Sequence, residues 1–320
     1  MRKLLPFVGK SLLMAFFICV GVVCIHVFTF STNGGESDVD HQLRFNEGYK
    51  IFSLNLPTDL EFCGEHVPMD QLDVRERLDR ELLVNTYWQS NSLLAHKRAN
   101  RWFPLIEPIL KREGVPDDMK YIPLIESGLT NVTSPAGAVG FWQFMKETAI
   151  AEGLVVNNEV DERYNVVRST EAACKHLKEA HARYGSWAMA AATFNLGRGN
   201  LERQIGRQNE TNYFNLLLPE ETSRYVFRIL AMKAIITDPA RYGFHLRQKD
   251  LYAPYSTRAM EITPPVEDLN AFATRQGTSY KLLKLLNPWL RDNTLSDHGG
   301  RKYTILLPAE GFNQLPADDE

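Results

Sequence analysis

Ser186–Asn195 reads SWAMAAATFN, a run without a formal charge whose apolar side chains would cover nearly every face of a helix. A helix that is apolar all round belongs at the centre of a domain, so this run calls for a surround of other helices. The chain supplies them. Asp70–Tyr87 sets Leu72, Leu78, Leu82 and Leu83 among charges at roughly helical spacing, and Arg101–Glu113 carries Trp102, Leu105, Ile106 and Ile109 on one stripe. Pro104 and Pro108 are expected near a helix start or a kink. Gly114 stops that helix, and Pro116-Asp117-Asp118 opens another. Ser169–Tyr184 places Ala173, Leu177, Ala180 and Tyr184 on one face, with Ser169 suited to the N-cap and Gly185 to the end. Glu220–Ile236 is again amphipathic. No convincing strand interrupts these segments, and residues 70–247 read as an all-α domain.

Beyond that domain the pattern changes. AMEIT and KYTILLP look like strands, and two short helical segments lie between them, parted by Gly277. This strand–helix–helix–strand order over residues 258–310 predicts a small α+β unit. No internal repeat is visible.

The N-terminus has its own character. MRKLLPFVGK carries Arg2, Lys3 and Lys10, and Ser11–Ser31 follows without a formal charge. That length is close to the ~20 residues a membrane helix needs, and it favours an uncleaved anchor over a cleaved signal peptide. Positive charge ahead of it predicts residues 1–10 in the cytoplasm and everything after residue 31 exported. Residues 32–69 are a polar linker and lead-in. A net charge of −3 gives no basic field to suggest nucleic acid as a partner. In an oxidising compartment, Cys63 and Cys174 are open to either a disulfide or two buried thiols. No Cys-x-x-Cys or His-x-x-x-His pair occurs, so neither a metal nor a cofactor is expected.

One carboxylate stands apart. From Tyr121 to Met145 the sole charged residue is Glu126, in a chain that is 23% charged. Asp117 or Asp118 suits the N-cap of a helix running through MKYIPLIE. On that helix Glu126 has Met119, Ile122, Pro123, Leu129 and Thr130 as neighbours, with no Lys or Arg one turn away. Burial without a cation raises a carboxyl pKa, and each unit of rise costs the fold about 1.4 kcal/mol. A protonated Glu near neutral pH is what a general acid requires. Downstream, Ser134-Pro135-Ala136-Gly137-Ala138-Val139-Gly140 is a small-residue loop where backbone can approach a ligand. It leads into Phe141-Trp142-Gln143-Phe144-Met145, aromatic faces with one amide, as a sugar-binding wall requires.

Together these residues resemble the lytic transglycosylases of bacterial cell walls, in particular their membrane-bound type D group. The matching stretches are Glu126-Ser127-Gly128-Leu129, the run from Ser134 to Met145, and Asp161-Glu162-Arg163. They continue with Tyr184-Gly185-Ser186-Trp187, Ala192-Thr193-Phe194-Asn195-Leu196-Gly197, Pro219–Val226 and Tyr242-Gly243-Phe244. They fall in order across about residues 60–245. The resemblance implies a lysozyme-like fold that cleaves the β-1,4 bond from N-acetylmuramic acid to N-acetylglucosamine in peptidoglycan glycan strands, with the membrane as a second partner through the N-terminal segment. It implies Glu126 as the single catalytic acid and base. Ser134, Gln143, Met145, Phe194, Asn195 and Tyr225 are then the substrate-binding positions. Phe194 departs from the family's usual Tyr, so if a hydroxyl there orients Glu126 or the sugar, Tyr225 must supply it or activity is reduced. Residues 258–310 resemble a divergent LysM module, a βααβ glycan-binding fold, through Leu286-Asn287-Pro288 and the closing Ile305-Leu306-Leu307-Pro308; the alternative is a structural appendage that packs on the catalytic domain.

With one carboxyl, the implied reaction protonates the glycosidic oxygen and closes a 1,6-anhydro ring without water, in contrast to the usual pair of carboxylates. Glu147, Asp161 and Glu221 are the acids able to approach Glu126 through the fold and make it a hydrolytic muramidase. A non-catalytic peptidoglycan-binding protein is the third reading.

Overall fold

The uncharged run at 186–195 is a buried helix. In the computed structural model Trp187–Leu196 is helical, and Ala188 to Thr193 are at most 2% exposed. Its first turn is capped from two sides. Ser186 Oγ accepts from Met189 N, and Glu65 accepts from Trp187 N at 2.5 Å and from Ser186 Oγ at 2.9 Å. A carboxylate there satisfies orphan donors and meets the positive end of the helix, worth about 1 kcal/mol.

The structure describes residues 51–297 and 299–312, together with Val39, Asp40, Leu43 and Gly48. The predicted membrane segment at 1–31 lies outside the described residues. Residues 53–312 belong to one compact unit. In chain order, β1 (Glu61–Phe62) and β2 (Glu65–His66) form a small antiparallel pair. Helices α1 (Leu72–Tyr87), α2 (Gln89–Glu113), α3 (Tyr121–Ser127), α4 (Lys146–Ala151) and α5 (Val166–Tyr184) follow. The central helix is α6 (Trp187–Leu196), followed by α7 (Arg198–Gln208) and α8 (Glu220–Thr237). Helix α6 packs against α5, α7 and α8, while α8 also packs on α1 and α3. Among the described residues no helix is long and apolar enough to cross a membrane.

Several local expectations are corrected. Helix α2 runs unbroken through Pro104 and Pro108 instead of starting at Arg101. Burial of Ala95, Ala99, Phe103, Ile106, Ile109 and Leu110 along one side outweighs the missing backbone donors. The cap of α5 is Asn165, whose Oδ1 accepts from Val167 N and Arg168 N. Ser169 lies inside the helix and donates to Asn165 O at 2.7 Å. Asp117 and Asp118 cap nothing; they open a 3-10 turn. Asp118 accepts from Cys63 N and Lys233 Nζ, both at 2.7 Å, which are stronger partners than a helix end it would have to share with Asp117. Pro123 falls in the first turn of α3, where its missing N–H has no intrahelical role. Leu72 is exposed, and Cys63 and Cys174 are free thiols.

The C-terminal unit has the expected βααβ order. Strands β3 (Thr257–Ile262) and β4 (Tyr303–Pro308) pair antiparallel with Ile262 opposite Tyr303. Between them, α9 (Leu269–Arg275) is capped by Asp268 and α10 (Tyr280–Leu286) by Ser279. Asn287, fully buried, stitches α10 to β4: its Nδ2 donates to Leu283 O and Leu306 O, and its Oδ1 accepts from Leu306 N at 2.8 Å. A second core gathers Leu269, Leu283, Trp289, Leu295, Ile305 and Leu307 with Val160, a residue contributed by the segment that precedes α5.

Candidate active site

Glu126 lies in the last turn of α3, and Met119, Ile122 and Leu129 of the same stretch are at most 1% exposed. The helix ends in two consecutive left-handed residues, Gly128 at φ 59° and Leu129 at φ 55°. A leucine there costs roughly 1–2 kcal/mol. The surroundings hold it: Arg98 Nη1 donates to Gly128 O at 3.1 Å, and Ser127 Oγ reaches both Pro123 O and Phe141 O at 2.9 Å.

Tyr225 comes to Glu126 from α8. Its ring has no exposed surface, yet its hydroxyl donates to Glu126 Oε1 at 2.5 Å. Burial lifts the Glu126 carboxyl above the ordinary carboxylate range. The Tyr225 bond and the Arg228 charge pull it part of the way back, and the charge of Glu221 adds a little to the rise. The Tyr225 phenol is itself pushed well up, by burial first and by Glu126 second. Arg228 Nη2 donates to Ile125 O at 2.8 Å, so its charge flanks the site without bonding the carboxylate.

The start of α8 is fixed in register. Tyr213 donates to Thr222 O and Ser223 O at 2.8 and 2.9 Å, and the buried Glu81 accepts from Arg224 Nε at 2.6 Å. Thr222 Oγ1 donates to Asn195 Oδ1 at 2.7 Å, which ties the end of α6 to the turn that carries Tyr225.

The loop from Thr130 to Phe144 folds by short antiparallel bridges, Thr133 with Val139 and Val139 with Phe144. Ser134 Oγ accepts from Ala138 N at 3.0 Å and closes the small-residue turn. Gln143, at φ 50°, donates to Gly140 O at 2.7 Å and Val132 O at 3.1 Å. Gly140 has φ 81°, and a Cβ there would lie 2.0 Å from Arg163 O. Arg163 forks onto Asp161 at 3.0 and 2.8 Å and donates to Phe144 O at 3.2 Å.

The structure therefore brings Glu126 and Tyr225 into direct contact and ties Asn195 to Tyr225's helix through Thr222. Ser134, Gln143 and Met145 share one loop, which Ser127 fastens to α3. The expected aromatic wall is corrected. Phe141, Trp142 and Phe144 are at most 4% exposed, with Trp142 Nε1 donating to Thr170 Oγ1 at 2.9 Å. They are core: Phe141 packs edge-on to Trp102 of α2, and Trp142 and Phe144 meet Phe194 of α6. Phe194 belongs to the same cluster, its ring edge-on to Trp142, Phe144 and His176. Ser134 and Gln143 are half-buried and Met145 is exposed. Asp161 and Glu162 are engaged by Arg163 and by Val155 N, Arg168 and Arg301, as a structural cluster. Sequence reasoning missed Arg228 and Thr222. Their spacing of three residues either side of Tyr225 on one helix was the available signal.

Residues 104–217 match the transglycosylase SLT domain family, and residues 258–311 match the soluble lytic transglycosylase C-terminal LysM-like domain. Glu126 to Asn195 lie within the first match and Tyr225 beyond it. The chain is similar to the membrane-bound lytic murein transglycosylase D of Escherichia coli (strain K12), 29% identical over 266 residues, covering 79% of this chain and 56% of that protein. A putative tributyltin chloride resistance protein of Alteromonas sp. (strain M-1) is 30% identical over 118 residues, 36% of this chain and 57% of its own. The chain spans just over half the length of the relatives it matches.

Proposed function

We propose that this chain is a peptidoglycan lytic transglycosylase, cleaving the β-1,4 bond between N-acetylmuramic acid and N-acetylglucosamine and leaving 1,6-anhydro ends. The observation that carries the reading is the Glu126 carboxyl. Burial favours its protonated form, and a tyrosine hydroxyl holds Oε1, which leaves Oε2 to face a substrate. Glu126 gives its proton to the glycosidic oxygen as the bond to C1 breaks. The 6-hydroxyl of the muramic acid then attacks C1, and Glu126 takes the proton released from that hydroxyl. Atoms balance without water, and the carboxyl returns to its starting state. Ser134, Gln143, Met145 and Asn195 bind the glycan in this reading, while Phe194 contributes apolar surface beside them. In this reading the uncharged segment at 11–31 holds the chain at the inner membrane with the domains in the periplasm; the E. coli relative is named membrane-bound.

Glu221 supports a second reading. It is exposed in the first turn of α8, and its charge acts on Glu126, so in this reading it would activate a water and give hydrolysis. Mass spectrometry of fragments released from purified sacculi separates the two. Anhydro ends that vanish in Glu126→Gln are expected, reducing ends indicate hydrolysis, and glycan binding without release refutes both.

A further inference from the structure

The segment from Val155 to Tyr164 serves two masters. Val156 and Asp161 pair across an antiparallel bridge, so the chain doubles back with Glu159 and Val160 at its tip. That tip is sunk into the C-terminal unit. Val160 is fully buried in the second core and bridges Leu290, Asp161 N donates to Trp289 O at 2.9 Å, and Arg291 N donates to Glu159 O at 2.7 Å. The Glu159 carboxylate accepts from Ser296 N at 2.9 Å and from Ser296 Oγ at 2.8 Å. The other end of the segment carries the candidate glycan loop. Gly140 lies against Arg163 O, Arg163 Nη1 holds Phe144 O, and the Tyr164 hydroxyl meets Thr133 Oγ1 at 3.1 Å. Over the Tyr164 ring, at 4.1 Å, stands the Arg291 guanidinium of the C-terminal unit.

We propose that the C-terminal unit sets the conformation of the loop at 131–144, with Arg291 and Tyr164 as positioning residues for glycan binding. The proposal rests on the reading that Ser134 and Gln143 of that loop bind glycan. A cation over a ring fixes the plane of the ring. The plane of Tyr164 in turn fixes where its hydroxyl meets Thr133, the residue next to Ser134. A cation–π pair at a partly exposed site shifts such an equilibrium about two- to fivefold. Because the unit is docked through backbone hydrogen bonds and a shared core residue, the guanidinium is delivered from a fixed frame.

The test is amide exchange in the full chain for wild type, Arg291→Ala, Arg291→Lys, Tyr164→Phe and the control Lys302→Ala, which loses only an exposed ion pair to Glu261 in the same unit. The amides of Ser134, Val139 and Gly140, bonded to Ala138 O, Phe144 O and Val132 O, are expected to exchange about two- to fivefold faster in Arg291→Ala and Tyr164→Phe. Arg291→Lys restores protection, and Lys302→Ala leaves it unchanged. With wall fragments, the same two variants raise KM by a similar factor at nearly constant kcat. Loop exchange unchanged in both variants overturns the proposal, as does a fall in kcat at constant KM. If loop exchange responds in a protein that releases no cleaved product, the positioning role stands and the enzymatic reading falls.

Discussion

The Tyr225 hydroxyl donates to Glu126 Oε1 at 2.5 Å, a bond that Phe194, with no oxygen, has no means to make. Removing that hydroxyl has two effects. The carboxyl loses its orientation, and it loses a bond that favours its charged form, so its pKa rises further. Tyr225→Phe is expected to lower kcat on the order of ten- to a hundredfold. The alkaline limb of the kcat profile, where Glu126 loses the proton it must donate, moves to higher pH. A limb that stays in place would show that the hydroxyl does not bear on the carboxyl.

Glu126 is held against its own stability. Its folded pKa lies above its unfolded value, so the folded state binds the proton more tightly. Stability is full below the unfolded pKa of about 4.5 and declines as pH rises through the folded value. Glu126→Gln has no charge to bury. Urea unfolding is expected to show the variant equal to wild type near pH 4 and more stable than wild type near pH 8, while cleavage is lost. An equal pH slope for the two proteins would argue against burial as the cause.

Gly140 and Gly137 separate two kinds of strain. Both have positive φ, but a Cβ at Gly137 meets nothing within 4 Å while one at Gly140 meets Arg163 O at 2.0 Å. Gly137→Ala is expected to cost about 1 kcal/mol. Gly140→Ala must also push the loop off Arg163, for about 2–3 kcal/mol and a marked loss of activity. Comparable unfolding midpoints for the two variants would mean the close approach carries no weight.

His96 makes the fold sensitive to acid. It is 7% exposed on α2, its Nε2 has no hydrogen-bond partner, and burial lowers its pKa from 6.5 to about 4. The unfolded chain takes up the proton first, so stability falls as pH drops from about 6.5 to about 4, by roughly 3 kcal/mol from this residue when complete. His96→Leu should flatten that slope in denaturant titrations. Parallel slopes for variant and wild type would assign the acid loss elsewhere.

Much of this was legible from local pattern. The uncharged run at 186–195, the lone Glu126 and the βααβ order each follow from periodicity or charge within a short window. What escaped depended on distant partners. FWQFM reads as a sugar wall until Trp102, Thr170 and Phe194 meet its rings. Ser169 reads as a cap until Asn165, also polar, takes the role four residues earlier. The prolines of α2 read as breaks until burial along the helix outweighs them. Arg228 reads as one more charge on an amphipathic stripe until α8 is laid beside α3.

Val160 has a bearing on ancestry. It is a residue of the helical domain, yet it completes the hydrophobic interior of the C-terminal unit. A recombination event that transplanted residues 258–311 alone would leave a hole in the transferred piece and an uncovered valine in the donor. A transferable piece with a filled interior therefore has to include the stretch around Val160.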